Sequence, residues 1–305
     1  MRATSSPPPR PSARLAPTRD RPRAPVLDSP IDPLQTSVTM ETLIVERAGP
    51  VATLTLNRPE SLNVLDDTMI DGLVAATSSL ATDDSLRVVI VRGAGKHFMA
   101  GGDIRAFARE LDRTPAERTA YFDVLIGRVH TMIETLHRLP MPVIAQVHGA
   151  VAGFGLSLMN ACDLVVAADN TYFASAYKSI ATTPDGGGTW SLPRLVGLRR
   201  ALEIMLVGDR FDAQQALAWG LVNRVVPAVE LDAVVQALAG SLATGPALAI
   251  RNTRRLLRES QGRTLGDQLA AEAASFGACA ATPDFKEGVT AFIEKRPARF
   301  GDDRG

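Results

Sequence analysis

Short apolar runs alternating with helically spaced segments limit this chain to a small set of folds. LRVVIVRG (86–93), PVIAQVHG (142–149) and LVVAAD (164–169) have strand length and are apolar nearly throughout, as strands buried on both faces are. Residues 66–81 and 114–138 carry apolar side chains at helical spacing, the second segment ending at LPMP. Upstream, TLIVERAG and VATLTLN flank Gly49-Pro50 and read as a hairpin. Strands interleaved with helices predict an α/β core. Beyond residue 185 the pattern turns helical apart from LVNRVVP (221–227), with helices expected at 228–244, 246–260, 264–280 and 283–294. No long linker sets this last third apart, so it reads as a packing or oligomerisation element.

The formal net charge is zero, which gives no global attraction to nucleic acid or to an acidic membrane. No apolar run reaches the roughly 18 residues of a membrane span. The two cysteines, Cys162 and Cys279, form no disulfide framework and suit a reducing compartment. They and the four histidines show no metal-ligand spacing, so no metal is expected. Residues 1–39 are dense in Pro, Arg and Ser and nearly devoid of large apolar side chains, which predicts a disordered extension. It reads either as sequence upstream of a start at Met40 or as a transit peptide, which its prolines oppose. The expected location is accordingly cytoplasmic, or mitochondrial in the second case.

Two loops share one physical form. In MAGGDI (99–104) and VAGFGLS (151–157), small residues bare the backbone where a strand gives way to a helix. N–H groups at a helix N-terminus are unpaired and sit at the positive end of its dipole. Two of them converging on one point make an oxyanion hole, for example around a thioester oxygen.

In order and spacing, KHFMAGGDI, PVIAQVHGAVAGFGLSL, CDLVVAAD, TPDGGGTWSLPRLVG and MLVGDRFDAQQALAWGLVNRVVP resemble the crotonase, or enoyl-CoA hydratase/isomerase, superfamily. The resemblance runs from about residue 42 to FIEKRPARF near the C-terminus. It implies a spiral of ββα units over 40–240, a helical trimerisation region over 241–305, and homotrimers or dimers of trimers. It further implies an acyl-CoA substrate, with coenzyme A as part of that substrate and no separate cofactor. By motif position the N–H groups of Gly102 and Phe154 form the oxyanion hole, and Gly102, Asp103, Ile104, Arg105 and Phe154 line the acyl-CoA site.

The departures from the pattern carry the functional reading. At the two positions where a hydratase of this family carries water-activating glutamates, this chain has Ser157 and Tyr177. Neither is a general base near neutral pH, the phenol pKa being about 10. Asp185, in TTPDGGGTW, is the carboxylate that remains. A carboxylate there resembles the ring-epoxide phenylacetyl-CoA isomerase type, whose GGTW it shares, and also dienoyl-CoA isomerases and 4-chlorobenzoyl-CoA dehalogenases. Taken alone, Asp185 reads as an N-cap on a helix opening at Gly186, and a cap would lower its pKa.

In the family context Asp185 is the expected acid/base of an acyl-CoA isomerase. A hydratase with atypical water activation is the first alternative. A non-catalytic acyl-CoA-binding or RNA-associated protein is the second, and the neutral charge opposes the RNA role. Arg251, Arg254, Arg255 and Arg258 share one helical face and read as a solvated surface, against sharper readings as a contact for CoA phosphates or for an acidic partner such as RNA. Lys295 and Arg296 fall where family members approach the nucleotide end of CoA. Phe98 and Trp190 read as core or pocket wall.

Overall fold

A computed structural model describes residues 36–40 and 42–301 of the chain. The expected disorder and leader function of the N-terminal extension fall on residues 1–35, outside the described residues. Its expected boundary shifts, however, because strand β1 (Thr36–Met40) pairs antiparallel with β2 (Leu43–Ala48) and so joins the sheet before residue 40.

The hairpin continues from β2 into β3 (Val51–Leu56). Next come helix α1 (Asp67–Ala81), strand β4 (Val88–Gly93), and helices α2 (Ile104–Ala108) and α3 (Pro115–Arg138). Strands β5 (Val143–Val147) and β6 (Ala150–Ala152) lead to α4 (Phe154–Ala161), then to β7 (Leu164–Ala168) and β8 (Tyr172–Ala174). Helices α5 (Gly188–Val196) and α6 (Leu198–Leu202) precede β9 (Phe211–Asp212), α7 (Ala213–Ala218) and β10 (Arg224–Val226). Four helices close the chain: α8 (Leu231–Ala243), α9 (Ala247–Glu259), α10 (Leu265–Ala280) and α11 (Pro283–Glu294).

Seven strands form one mixed sheet in the order β1-β2-β3-β4-β5-β7-β10, parallel from β3 onward. The register sets Val51 opposite Val88, Val89 opposite Val143 and Ile144 opposite Leu164. Strand alternation then divides the apolar runs between two cores. Val89, Val91, Val143, Ala145 and Val165 enter a large core with α1 and α3, while Val88, Ile90, Ile144 and Val166 meet Leu231, Val235 and Ala239 of α8. Because α8 covers the second face of the sheet, residue 240, the expected end of the core region, lies inside that helix. The helix starts are local in origin. Asp66 accepts from the Met69 N–H, and Thr114 with Glu117 forms a capping box ahead of α3.

A second sheet, β6-β8-β9, carries the loops of interest. Its strands have only two or three residues each and do not stand out in the sequence. At the C-terminal end, α10 packs on α9 and α11 on α10, leaving Leu265, Phe276, Phe292 and Ile293 exposed. Among the described residues no single helix is long and apolar enough to cross a membrane, although the bent pair 228–243 and 247–262 passes on length and composition together.

Candidate active site

The two glycine loops are neighbours because Met99 bridges to Val151: the Met99 N–H donates to the Ala150 carbonyl at 3.1 Å, and the Ala152 N–H to the Met99 carbonyl at 2.9 Å. Gly153 turns the chain into α4 at φ +52°, a conformation that strains any side chain. A Cβ there would lie 3.3 Å from the Gly101 Cα, so the loops touch through bare backbone. Gly102 is bridged to Leu65 through its two neighbours, the Gly101 carbonyl accepting from Leu65 and the Asp103 N–H donating to it. Strand alternation turns the intervening Gly102 N–H the other way. The Phe154 N–H is in the first turn of α4, where no intrahelical acceptor exists. Neither N–H has an acceptor among the described residues. These are the two donors expected from the sequence, and they come from facing loops.

Asn63, which the sequence reading passed over, braces the approach to the first loop. It is fully buried at φ +55°, and its amide donates to the carbonyls of Ala94 (2.9 Å), His97 (2.8 Å) and Phe98 (3.2 Å). The signal was an asparagine in NRPESLN, the residue type besides glycine that best tolerates a left-handed turn. His97 Nδ1 accepts from the Ala150 N–H at 3.0 Å, tying the same loop to β6, and burial pulls its pKa down, preserving the neutral acceptor. Phe98 is core, as one of its two readings had it.

Of the residues expected to line the acyl-CoA site, Ile104 and Arg105 project into solvent. Asp103 caps α2 by accepting from the Arg105 and Ala106 N–H groups at 3.0 and 3.2 Å, and lies 3.4 Å from the Arg58 guanidinium. Its carboxylate is thereby committed to structure.

Asp185 does not cap a helix. Helix α5 opens two residues later than expected, at Gly188, with Gly187 at its N-cap and no side chain in the capping role. The Asp185 carboxylate instead accepts from the Tyr177 hydroxyl at 2.5 Å, while its main-chain carbonyl accepts from Ser157 Oγ at 2.8 Å. Tyr177 stands in a 3-10 turn (Tyr177–Ile180) and Ser157 in α4, one turn beyond Phe154. The glycines that follow make this possible. Gly186 has φ +56° and lies against the Phe154 ring, and a Cβ on Gly188 would come within 2.7 Å of Ser157 Oγ. Burial pushes the Asp185 pKa above the ordinary carboxylate value, partly offset by the Tyr177 hydrogen bond and by His130 on α3. A cap would have moved it the other way. Burial and the Asp185 charge likewise drive the Tyr177 phenol far above its usual value, so it remains a proton donor.

Cavities flank this arrangement. One of about 550 Å³ is bordered by Tyr177, Pro184, Gly188, Leu192 and Met205 and is mostly apolar. Another, about 600 Å³, lies beside α9 and includes Trp190, which is half exposed and stacked under the Arg194 guanidinium. Its carboxylate, Asp163, is fully engaged. Arg254 Nε and Arg258 Nε each meet it at 2.7 Å, and it accepts from the Val143 N–H at 2.8 Å. The expected solvated arginine face is therefore corrected: Arg254 and Arg258 pin α9 to the sheet region, with Arg255 bonded to Ser275 at 3.0 Å. Arg296 pairs with Glu287 and Glu294 at 2.7 and 2.6 Å. No cluster of three or more His, Cys, Asp or Glu suited to a metal occurs among the described residues.

A sequence model described as Enoyl-CoA hydratase/isomerase matches residues 46–303. The 1,2-epoxyphenylacetyl-CoA isomerase of Escherichia coli K12 is 35% identical over 262 residues, covering 86% of this chain and 98% of that protein. The crotonyl-CoA hydratase of Syntrophomonas wolfei is 37% identical over 262 residues, covering 85% and 98%. The crystal structure of an enoyl-CoA hydratase from Bacillus anthracis superposes with a TM-score of 0.78 at 30% identity, covering 85% of this chain and 98% of that one. Similarity to proteins named for both activities leaves the choice between them to the residues at the site.

Proposed function

The chain belongs to the enoyl-CoA hydratase/isomerase family and has its crotonase-like fold, and from that premise we propose that it isomerises an acyl-CoA thioester with Asp185 as acid and base. The reaction is either a double-bond shift or the rearrangement of a ring-epoxide acyl group. One observation carries the reading. Where the family resemblance expects two glutamates, the hydroxyls of Ser157 and Tyr177 are both directed onto Asp185. Asp103, the carboxylate beside the first glycine loop, is occupied by a helix cap and by Arg58.

In this mechanism the thioester oxygen accepts from the N–H groups of Gly102 and Phe154. Polarising the carbonyl acidifies the α or γ C–H of the acyl group. Asp185 removes that proton, the electron pair delocalises onto the thioester oxygen as an enolate, and the two N–H groups hold the charge. For a double-bond shift, the same carboxyl returns the proton at another carbon, so nothing is gained or lost. Burial makes Asp185 a stronger base than a solvated aspartate. The apolar cavity bordered by Tyr177 and Met205 suits a hydrocarbon or aryl acyl group. The step uses no cofactor beyond the coenzyme A that the substrate carries. The apolar side chains exposed on α10 and α11 support self-association as a homotrimer or a dimer of trimers.

Asp185→Asn is expected to lower isomerase turnover by at least about 100-fold, the lower scale of acid/base catalysis. Thioester binding should persist, since the oxyanion donors are backbone groups. Unchanged turnover would contradict the proposal. A second reading, favoured by the 37% identity to a crotonyl-CoA hydratase, has Asp185 activate water without a second carboxylate.

A further inference from the structure

We infer that Tyr177 and Ser157 are positioning residues for Asp185, forming a two-point clamp that fixes the peptide and aims the carboxylate. The inference rests on Asp185 being the acid/base. It assigns a new task to the two positions from which the family's glutamates are missing.

The geometry is that of a holder. Ser157 is 1% exposed, and its hydroxyl fixes the Asp185 carbonyl, which settles where the residue sits. Tyr177, 9% exposed, fixes Oδ1, which settles how the carboxylate is rotated. The two contacts come from different elements, α4 and the 3-10 turn, and close on one residue from two directions. Among the described residues Oδ2 accepts no hydrogen bond. One carboxylate oxygen is thus held and the other is left to take a proton.

Packing leaves little room at position 157, one of the two places where the resemblance expects a glutamate. Gly186 and Gly188 lie directly on Ser157: a Cβ on Gly186 would come 3.1 Å from the Ser157 Cβ. The peptide that carries Asp185 therefore occupies the space a longer side chain at 157 would need. A water molecule cannot be served from there, whereas the carboxylate can be braced from there. The titratable groups facing Asp185 are Tyr177 from the 3-10 turn and His130 from α3, and Ser157 on α4 adds a neutral hydroxyl. A phenol that donates to a carboxylate favours its ionised form. Tyr177 therefore counteracts the burial of Asp185 and keeps it competent as a base at lower pH.

The test is the pH profile of kcat/KM for isomerisation by the full-length chain. Activity should fall with pH as Asp185 becomes protonated. Tyr177→Phe, which removes only the hydroxyl, should move that acidic limb upward by on the order of one pH unit, and lower kcat about tenfold with KM within about twofold. Ser157→Ala should lower kcat a few-fold without moving the limb, because it bonds the carbonyl and not the carboxylate. Ser157→Glu should not raise crotonyl-CoA hydration. Should Tyr177→Phe fail to fold, fluorotyrosine incorporated at the chain's 3 tyrosines is a substitute. A more acidic phenol donates more strongly and should move the limb downward. An unmoved limb in whichever of the two proteins folds, or hydration gained by Ser157→Glu, would overturn the clamp. Asp185→Asn run in parallel separates the two claims. If it is inactive while the Tyr177 variants leave the limb in place, the catalytic aspartate stands and the clamp falls. If it is fully active, the underlying reading fails.

Discussion

Asp163 and Asp185 are both largely but not fully buried, and the fold treats them in opposite ways. Asp163 receives two guanidiniums and a backbone N–H, and the arginines in turn donate to the carbonyls of Leu139, His137 and Ala161. Among the described residues Asp185 receives one phenol hydrogen bond and no ion pair, with His130 on α3 as the cation that acts on it through space. The first carboxylate has its charge compensated from several sides and ties the last third of the chain to the sheet. The second keeps a raised proton affinity and, among the described residues, one oxygen without a hydrogen-bond donor. Burial alone does not mark an active residue. What distinguishes Asp185 is burial with compensation withheld.

The largest effect should come from breaking the compensated region. Asp163→Ala leaves Arg254 and Arg258, whose side chains are 10% and 18% exposed, without their counter-ion. Removing one partner of a buried ion pair costs about 3–5 kcal/mol, measurable by urea denaturation. A loss below about 1 kcal/mol would show that the cluster is not what anchors α9.

A pH dependence of opposite sign in the two regions sharpens the contrast. His137, beside the two arginines, has its pKa pulled down from 6.5 to about 4, first by burial and then by the charges of Arg258 and Arg254. The unfolded chain therefore binds the extra proton first, so stability should fall as pH drops from about 6.5 toward 4. His137→Gln should flatten that part of a denaturation-versus-pH curve.

Asp185 works the other way, and its effect on stability should be the smallest. Its folded pKa lies above the unfolded value, so the native state holds the proton longer. Stability then declines as pH rises from the ordinary carboxylate value to the raised one, and stays lower above it. Asp185→Asn, which still accepts from Tyr177, should remove that decline and leave the protein as stable or more stable at neutral pH. A destabilised Asn variant would mean that Asp185 is structural, as Asp163 is.

The sequence made the local features legible. The helices expected at 66–81, 114–138 and 283–294 occur as Asp67–Ala81, Pro115–Arg138 and Pro283–Glu294, because apolar spacing and the caps Asp66, Thr114 and Thr282 lie close together in the chain. The family order of motifs was equally visible, being written in contiguous stretches. Features made by long-range contact were not. Strands β6, β8 and β9 are too short for periodicity and exist through pairing. The arginines of α9 showed their common face but not the aspartate opposite. Ser157 and Tyr177 were read for the glutamates they are not. Their contact with Asp185 depends on a left-handed turn at Gly186 that brings the peptide back onto α4.

The most direct test of the account compares two rates on one preparation of the unmodified protein: isomerisation of a 3-enoyl-CoA or ring-epoxide acyl-CoA panel, and hydration of crotonyl-CoA, both followed by separation of the thioester products. A single clamped carboxylate predicts that the best isomerisation exceeds hydration by at least about 100-fold, the scale of one missing acid/base group. Hydration as fast as any isomerisation would contradict it, and would assign Asp185 to water instead of carbon.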